Sequence, residues 1–239
     1  MSLPGGKTTV NKDDRPIAVT FDLFGTLVSA HRPGDPAGAV AEELRARGVP
    51  VPDDWRELYA TPHVEIAPGQ ELPLPDHVRA ALEASGMDTG ALEQPRTTTG
   101  HGSGGDDVVT DAVRAAFDRQ MTLRDGATAA IDAATQCGPV GVLSNCSVPG
   151  LVERTLERVD VDDRFDAVLA SVEVGYRKPD PRAFGAAADR LGVDPTNLVH
   201  VGDDPETDGG IEEIGGTAIL LDDVPLSAVP DRLSEVRFR

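Results

Sequence analysis

The feature that most limits how this chain can fold is a short apolar run that stops on an acid. Residues 17–21 read Ile-Ala-Val-Thr-Phe, in which Val, Thr and Phe favour extended backbone. Asp22 ends the run, and Gly25 and Thr26 break the pattern directly after it. A carboxylate at the C-terminal end of a buried strand, followed by a glycine-containing turn, sits where an open α/β sheet sets its reactive groups.

The same rhythm resumes beyond Gly126. Residues 139–144, 165–171, 198–201 and 217–221 read as strands, and residues 127–136, 150–159, 181–191 and 209–214 as the helices between them. Strands alternating with helices of this length specify an α/β fold with a doubly wound, parallel, Rossmann-like sheet. The block between the first strand and this repeat differs. Helices are expected at 38–48, at 55–59 behind a cap at Asp53 or Asp54, at 75–84 closed by Gly86, and at 111–121. Its one strand-like stretch is 63–66, and 97–107 is a Thr-, Gly- and Ser-rich loop. The expected organisation is a flexible tail at 1–14, a Rossmann-like core from 15–28 and 125–239, and a helical cap over 29–124.

Charge and composition narrow the classes. The chain of 239 residues carries a net charge of -19, and of its 22 basic residues only Lys7, Lys12 and Lys178 are lysines. Acidic, lysine-poor surfaces suit a high-salt cytoplasm, where screening removes self-repulsion, so a halophilic source and a cytoplasmic location are expected. The same charge disfavours nucleic acid or an anionic membrane as partner. No apolar run approaches the ~18 residues of a membrane span. Two cysteines, Cys137 and Cys146, make neither a disulfide framework nor a zinc site. Oligomeric state is left open.

Four segments end or follow strands, and in a parallel sheet those ends meet at one edge. The first holds Asp22, a carboxylate able to attack phosphorus or carbon. The second ends on Ser144 and Asn145, where a hydroxyl and the backbone N–H groups after it can donate to a phosphate oxygen. The third holds Lys178, whose compact ammonium can neutralise both an acid and a bound anion. The fourth, from Val199 to Asp208, is rich in the oxygen ligands that suit Mg²⁺.

Phe21-Asp22-Leu23-Phe24-Gly25-Thr26-Leu27 resembles the first signature of the haloacid dehalogenase (HAD) superfamily, and the other segments follow that superfamily's order: Ser144, then Lys178-Pro179-Asp180-Pro181, then Gly202-Asp203 with Asp208 five positions on. The resemblance covers residues 16–221, with the insertion matching the helical-cap branch. It implies a hydrolase acting on a small anionic substrate. Asp22 becomes the nucleophile, Lys178 its ionic partner, and Ser144, Asn145 and Thr26 the substrate-binding residues. Mg²⁺ is held by Asp22, the backbone carbonyl of Phe24 and Asp203, with Asp208 and Asp204 behind them.

One position departs from the pattern. Phosphatases of the superfamily usually place a second Asp two residues after the first, to protonate the leaving group; here Phe24 stands there. The 2-haloacid dehalogenases resemble the chain more closely at that spot, since halide leaves without a proton, but they lack the acid cluster of the fourth segment. Their halide-receiving arginine would be sought among Arg32, Arg45, Arg47 and Arg56, and a replacement acid at Asp204 or His31. The leading expectation is a Mg²⁺-dependent phosphatase. The alternatives are dehalogenase chemistry and, in another class, a catalytically weak binding or regulatory protein.

Overall fold

The structure, a computed structural model, describes residues 17–29, 33–92 and 107–237. The expected tail, nearly all of the loop at 97–107, and the side chains of His31 and Arg32 lie outside the described residues.

Five strands form one parallel sheet: β1 (Ala18–Phe21), β2 (Val140–Ser144), β3 (Ala167–Ala170), β4 (Leu198–Gly202) and β5 (Thr217–Leu220). Their order is β3-β2-β1-β4-β5. The chain therefore builds outward from β1 on one side, then returns to β1 and builds outward on the other. Phe21 is in register with Val142 and with Val201, so the residues leaving the three central strands emerge side by side at the switch point. Every residue of β1, β2 and β4 is buried, which is why these strands read as near-continuous apolar runs without alternation.

The helices, in chain order, are α1 (Pro36–Ala46), α2 (Trp55–Ala60), α3 (Leu74–Ala84), α4 (Val108–Phe117), α5 (Ala127–Thr135), α6 (Leu151–Arg158), α7 (Ser171–Val174), α8 (Pro181–Leu191), α9 (Pro205–Asp208) and α10 (Val229–Arg237). α8 shows the local logic. Asp180 caps it by accepting from Arg182 N, Pro181 opens it, and Gly192 ends it at φ 71°. Its residues Ala183, Phe184, Ala187, Ala188 and Leu191 repeat at helical spacing and are buried against the sheet. α1 to α4 pack on one another. A continuous apolar core runs from Val19 and Phe21 through Leu23, Leu27 and Val28 into Val40 and Leu44 of α1, Leu82 of α3 and Val113 of α4. The insertion is thus helical among the described residues, as its patterning predicts.

The differences are local. α4 starts at Val108, ahead of the expected 111, because Asp107 accepts from the backbone N–H groups of Val109 and Thr110; it stops at Phe117, short of Met121. Residues 63–66 form no strand: Pro62 and Pro68 bracket them, Val64 and Ile66 are exposed, and only Gln70 makes a single bridge, to Tyr176. β3 ends before Ser171, which opens α7. The acidic stretch after β4 forms α9 and then the 3₁₀ helix Gly209–Ile214. α10 was not expected; it buries Val229 and Leu233, one turn apart. Both cysteines are free thiols, and among the described residues no helix is long and apolar enough to cross a membrane.

Candidate active site

Asp22 leaves β1 with its backbone N–H bonded to Val201 O at 2.8 Å, which fixes it beside β4. The turn after it needs Gly25: φ is 99°, and a Cβ there would stand 2.4 Å from Asp203 Oδ2. The glycine lets the two acid-bearing loops close on each other. Gly202 does the same at the end of β4, where a Cβ would meet Asp208 Oδ2 at 2.0 Å.

Lys178 is 3% exposed and stands between two carboxylates. Its Nζ donates to Asp22 Oδ1 at 2.9 Å and to Asp208 Oδ1 at 2.6 Å. Burial alone would lower the Lys178 pKa; Asp22 and Asp208 outweigh it and raise it, so the ammonium is firmly charged. Asp22 is the less comfortable partner. Burial pushes its carboxyl above the usual range against the pull of Lys178, and the nearby Asp208 and Asp203 push the same way. Burial would raise Asp208 too, but His200 and Lys178 hold it well below an ordinary carboxyl.

The remaining oxygen-bearing groups face the same space. A cavity of about 280 Å³ is lined by Asp22, Phe24, Ser144, Asp203, Asp204 and Asp208 together with Lys178 and Arg177. The Ser144 hydroxyl is buried there without a hydrogen-bond partner, a donor held ready for an oxygen that enters. Four carboxylates surround one ammonium, which is paired with Asp22 and Asp208, and Arg177 is paired with Glu71 at 2.5 Å. Such a cavity cannot take up an anion without a cation beside it. Among the described residues no three His, Cys, Asp or Glu side chains are grouped to cage a metal by themselves. Mg²⁺ needs no such cage: it keeps several waters and takes only one or two carboxylates, so an all-oxygen set of Asp22, Asp203 and a carbonyl suits it.

A sequence model of the haloacid dehalogenase-like hydrolase matches residues 18–210, most of the chain and all four of these segments. The chain belongs to the haloacid dehalogenase-like hydrolase family. It is 37% identical over 83 residues to a phosphatase of Mycobacterium tuberculosis, covering 35% of this chain and 38% of that one. It is 32% identical over 168 residues to a phosphoserine phosphatase of Thermus thermophilus, covering 69% of this chain and 61% of that one. The chain thus spans less than two thirds of either relative. A solved 2-haloacid dehalogenase from Pseudomonas syringae pv. Tomato superposes with a TM-score of 0.64 at 23% identity, over 93% of this chain and 100% of that one, which fixes the fold.

Within this HAD-like hydrolase, two residues assigned to substrate from the sequence have their side chains committed elsewhere. The Thr26 hydroxyl donates to Asp203 Oδ1 at 2.7 Å, orienting that carboxylate. The Asn145 amide grips the backbone of Lys178 from both ends, Oδ1 accepting from its N–H at 2.8 Å and Nδ2 donating to its carbonyl at 2.9 Å. Asp204 lines the cavity, but Oδ1 caps α9 by accepting from Glu206 N at 3.0 Å. Of the arginines considered for halide, Arg47 pairs with Glu43 and Arg56 with Asp35, and neither they nor Arg45 lines the cavity.

The sequence reading missed His200. It lies in β4, fully buried, with Nε2 3.1 Å from Asp208 Oδ1 and 3.2 Å from Lys178 Nζ, Nδ1 2.9 Å from Thr20 Oγ1, and its ring edge-on to Phe184. Burial and then Lys178 push its pKa down to about 4, so at neutral pH it meets Asp208 as a hydrogen-bond donor and not as an ion. Its neutral ring has one N–H; Asp208 is an obligate acceptor and claims it, leaving Nδ1 to accept from the Thr20 hydroxyl. The signal was a lone polar residue inside an apolar strand.

His200 makes stability depend on pH. Its folded-state pKa lies below the unfolded value, so the unfolded chain binds more protons between pH 6.5 and about 4, and stability falls as pH drops through that window. The depression of a few units is worth at most about 3 kcal/mol. Thermal melts of wild type and His200→Gln across this window should show the variant with the shallower slope; equal slopes would exclude the histidine as the cause.

Proposed function

We propose that this hydrolase is a Mg²⁺-dependent phosphatase acting on a small phosphorylated metabolite. The observation that carries the reading is the acid-lined cavity: four carboxylates around one ammonium that is itself paired with two of them, beside an unpartnered buried hydroxyl, suit a divalent cation together with a phosphoryl group. The phosphatase relatives point the same way.

Asp22 attacks phosphorus, and the alkoxide or phenoxide leaves. Water then attacks phosphorus, returning the Asp22 carboxylate and releasing inorganic phosphate. Lys178 keeps Asp22 ionised and aimed, Asp208 holds Lys178 and is itself held by the His200 N–H, and the Asn145 amide fixes the Lys178 backbone. Ser144 donates to a phosphoryl oxygen. Asp22, Asp203 and the Phe24 carbonyl would hold Mg²⁺, which when bound offsets the charge of the phosphoryl oxygens. Residues 29–124 act as the helical lid over this chemistry, and 15–28 with 125–239 as its base.

Phe24 favours a second reading. It cannot transfer a proton, and general acid help is worth ~10²–10⁴ in rate. Halide needs none, so 2-haloacid hydrolysis fits this one position better. The two readings separate with one preparation in about molar salt, where screening suits an acidic surface. Phosphate release from p-nitrophenyl phosphate should appear with Mg²⁺ and fall by ~10²-fold or more with chelator, since the cation supplies most of the charge compensation. Chloride release from 2-chloropropionate that persists in chelator, without phosphatase activity, would put the dehalogenase reading first.

A further inference from the structure

A second cavity adjoins the first. It is of about 300 Å³ and shares Phe24, Asn145 and Arg177 with the acid-lined cavity. Its walls come from the helical insertion, with Tyr59, Leu74, Phe117 and Met121, and from the start of α6, with Val148 and Leu151. Its character is the reverse of its neighbour's. No Asp, Glu, Lys or His stands among its described lining residues, and its one guanidinium, Arg177, is spent on Glu71 at 2.5 Å and Ser147 Oγ at 3.2 Å. Burial pushes the Cys146 thiol up to about 11, so it adds no charge either.

A monoester with its phosphorus at Asp22 therefore meets an apolar wall beside the phosphoryl group. An ammonium or a second carboxylate would lose its hydration there without a free countercharge, and a sugar would exchange the water around its hydroxyls for a mostly apolar wall, which is costly. Phe24 bears independently on the same half of the substrate. Without an acid at that position the leaving oxygen departs as an anion, which a weakly basic oxygen tolerates. A phenol ionises near pH ~10, whereas an alkyl alcohol is closer to water at ~15.7.

Resting on the phosphatase reading, we infer that the substrate class is the phosphate monoester of an aromatic, weakly basic alcohol, its ring seated in the apolar chamber between Phe24 and the lid. The step balances. A P–O bond forms to Asp22 as the P–O bond to the aryl oxygen breaks, the electron pair leaves on the phenolate, and the phenolate takes its proton from solvent. Water then attacks phosphorus, the P–O bond to Asp22 breaks and returns its carboxylate, and the proton of the attacking water leaves with the phosphate or to solvent.

The test compares 1-naphthyl phosphate, cyclohexyl phosphate and acetyl phosphate on the Mg²⁺-loaded full chain. Cyclohexyl phosphate is apolar with a basic leaving group, and acetyl phosphate is small and polar with a weakly basic one. The kcat/KM for 1-naphthyl phosphate should exceed that for cyclohexyl phosphate by ~10² or more, the share a missing general acid would supply. Leu74→Glu puts a carboxylate into the chamber from the first turn of α3, where an acid suits the helix dipole, and a thermal melt checks that the variant is folded before its rates are compared. It should cut kcat/KM for 1-naphthyl phosphate by ~10-fold or more while holding acetyl phosphate within about twofold. Cyclohexyl phosphate turned over as well as the aryl ester, or Leu74→Glu slowing acetyl and naphthyl phosphates equally, would overturn the inference and leave the phosphatase reading standing. Phosphate release from none of the three would overturn both.

Discussion

Asp22→Asn removes turnover of every substrate, a loss of ~10⁶-fold in kcat by analogy with other nucleophile deletions. The amide is nearly isosteric and keeps the backbone bond to Val201, but its neutral oxygen is far less nucleophilic than a carboxylate and opens no covalent route. The fold should survive. Burial already works against the Asp22 charge, so a neutral side chain relieves desolvation even as Lys178 loses one countercharge, while the amide oxygen can still accept from it. Phosphate release and a thermal melt on the same preparation check both halves. Loss of activity with loss of fold would leave Asp22 a structural residue, and retained activity would remove it from the chemistry.

Lys178→Met is expected to damage both activity and stability. The ammonium separates the Asp22 and Asp208 carboxylates, and its side chain is 1% exposed. Removing one member of a buried ionic cluster typically costs ~3–5 kcal/mol, because the surviving charges are left uncompensated. The rate should fall by ~10³-fold or more, since Asp22 is then neither held nor kept ionised. The sign of the pH dependence follows. Burial already holds the Asp22 carboxyl above its ordinary value, and without the pull of Lys178 its folded-state pKa rises further, while Asp208 keeps His200 and loses only part of what holds it low. The added destabilisation at Asp22 is complete above that raised value and is relieved as acid protonates the carboxyl. The difference in stability between wild type and variant should narrow on acidification, measured by denaturant melts at neutral and acid pH. A gap independent of pH would mean that lost packing, and not lost charge compensation, is the cause.

Much of this was legible in the chain. β1 announced itself because a strand buried on both faces must be apolar throughout, and Asp22 because a carboxylate ending such a run needs a reason to be there. α8 was legible because Asp180, Pro181 and Gly192 each act locally on the backbone. What escaped depends on contacts between distant segments. Nothing near Thr26 says that its hydroxyl will meet Asp203, and Asn145 reads as an ordinary turn residue until Lys178 lies against it. His200 was hidden by its strand: its partners Thr20, Lys178 and Asp208 come from three elements. The apolar chamber was beyond reach for the same reason, being formed where the helical insertion meets the segment from Val148 to Leu151.

The central proposition is that Asp22 carries the phosphoryl group between the two half-reactions. The most direct measurement is acid-quenched mass spectrometry of the Mg²⁺-loaded enzyme mixed briefly with excess 1-naphthyl or acetyl phosphate. One phosphoryl group, removable by hydroxylamine, is expected on the peptide containing Asp22 and absent from Asp22→Asn. Phosphate release with no label on that peptide, or with the label on another residue, would contradict it.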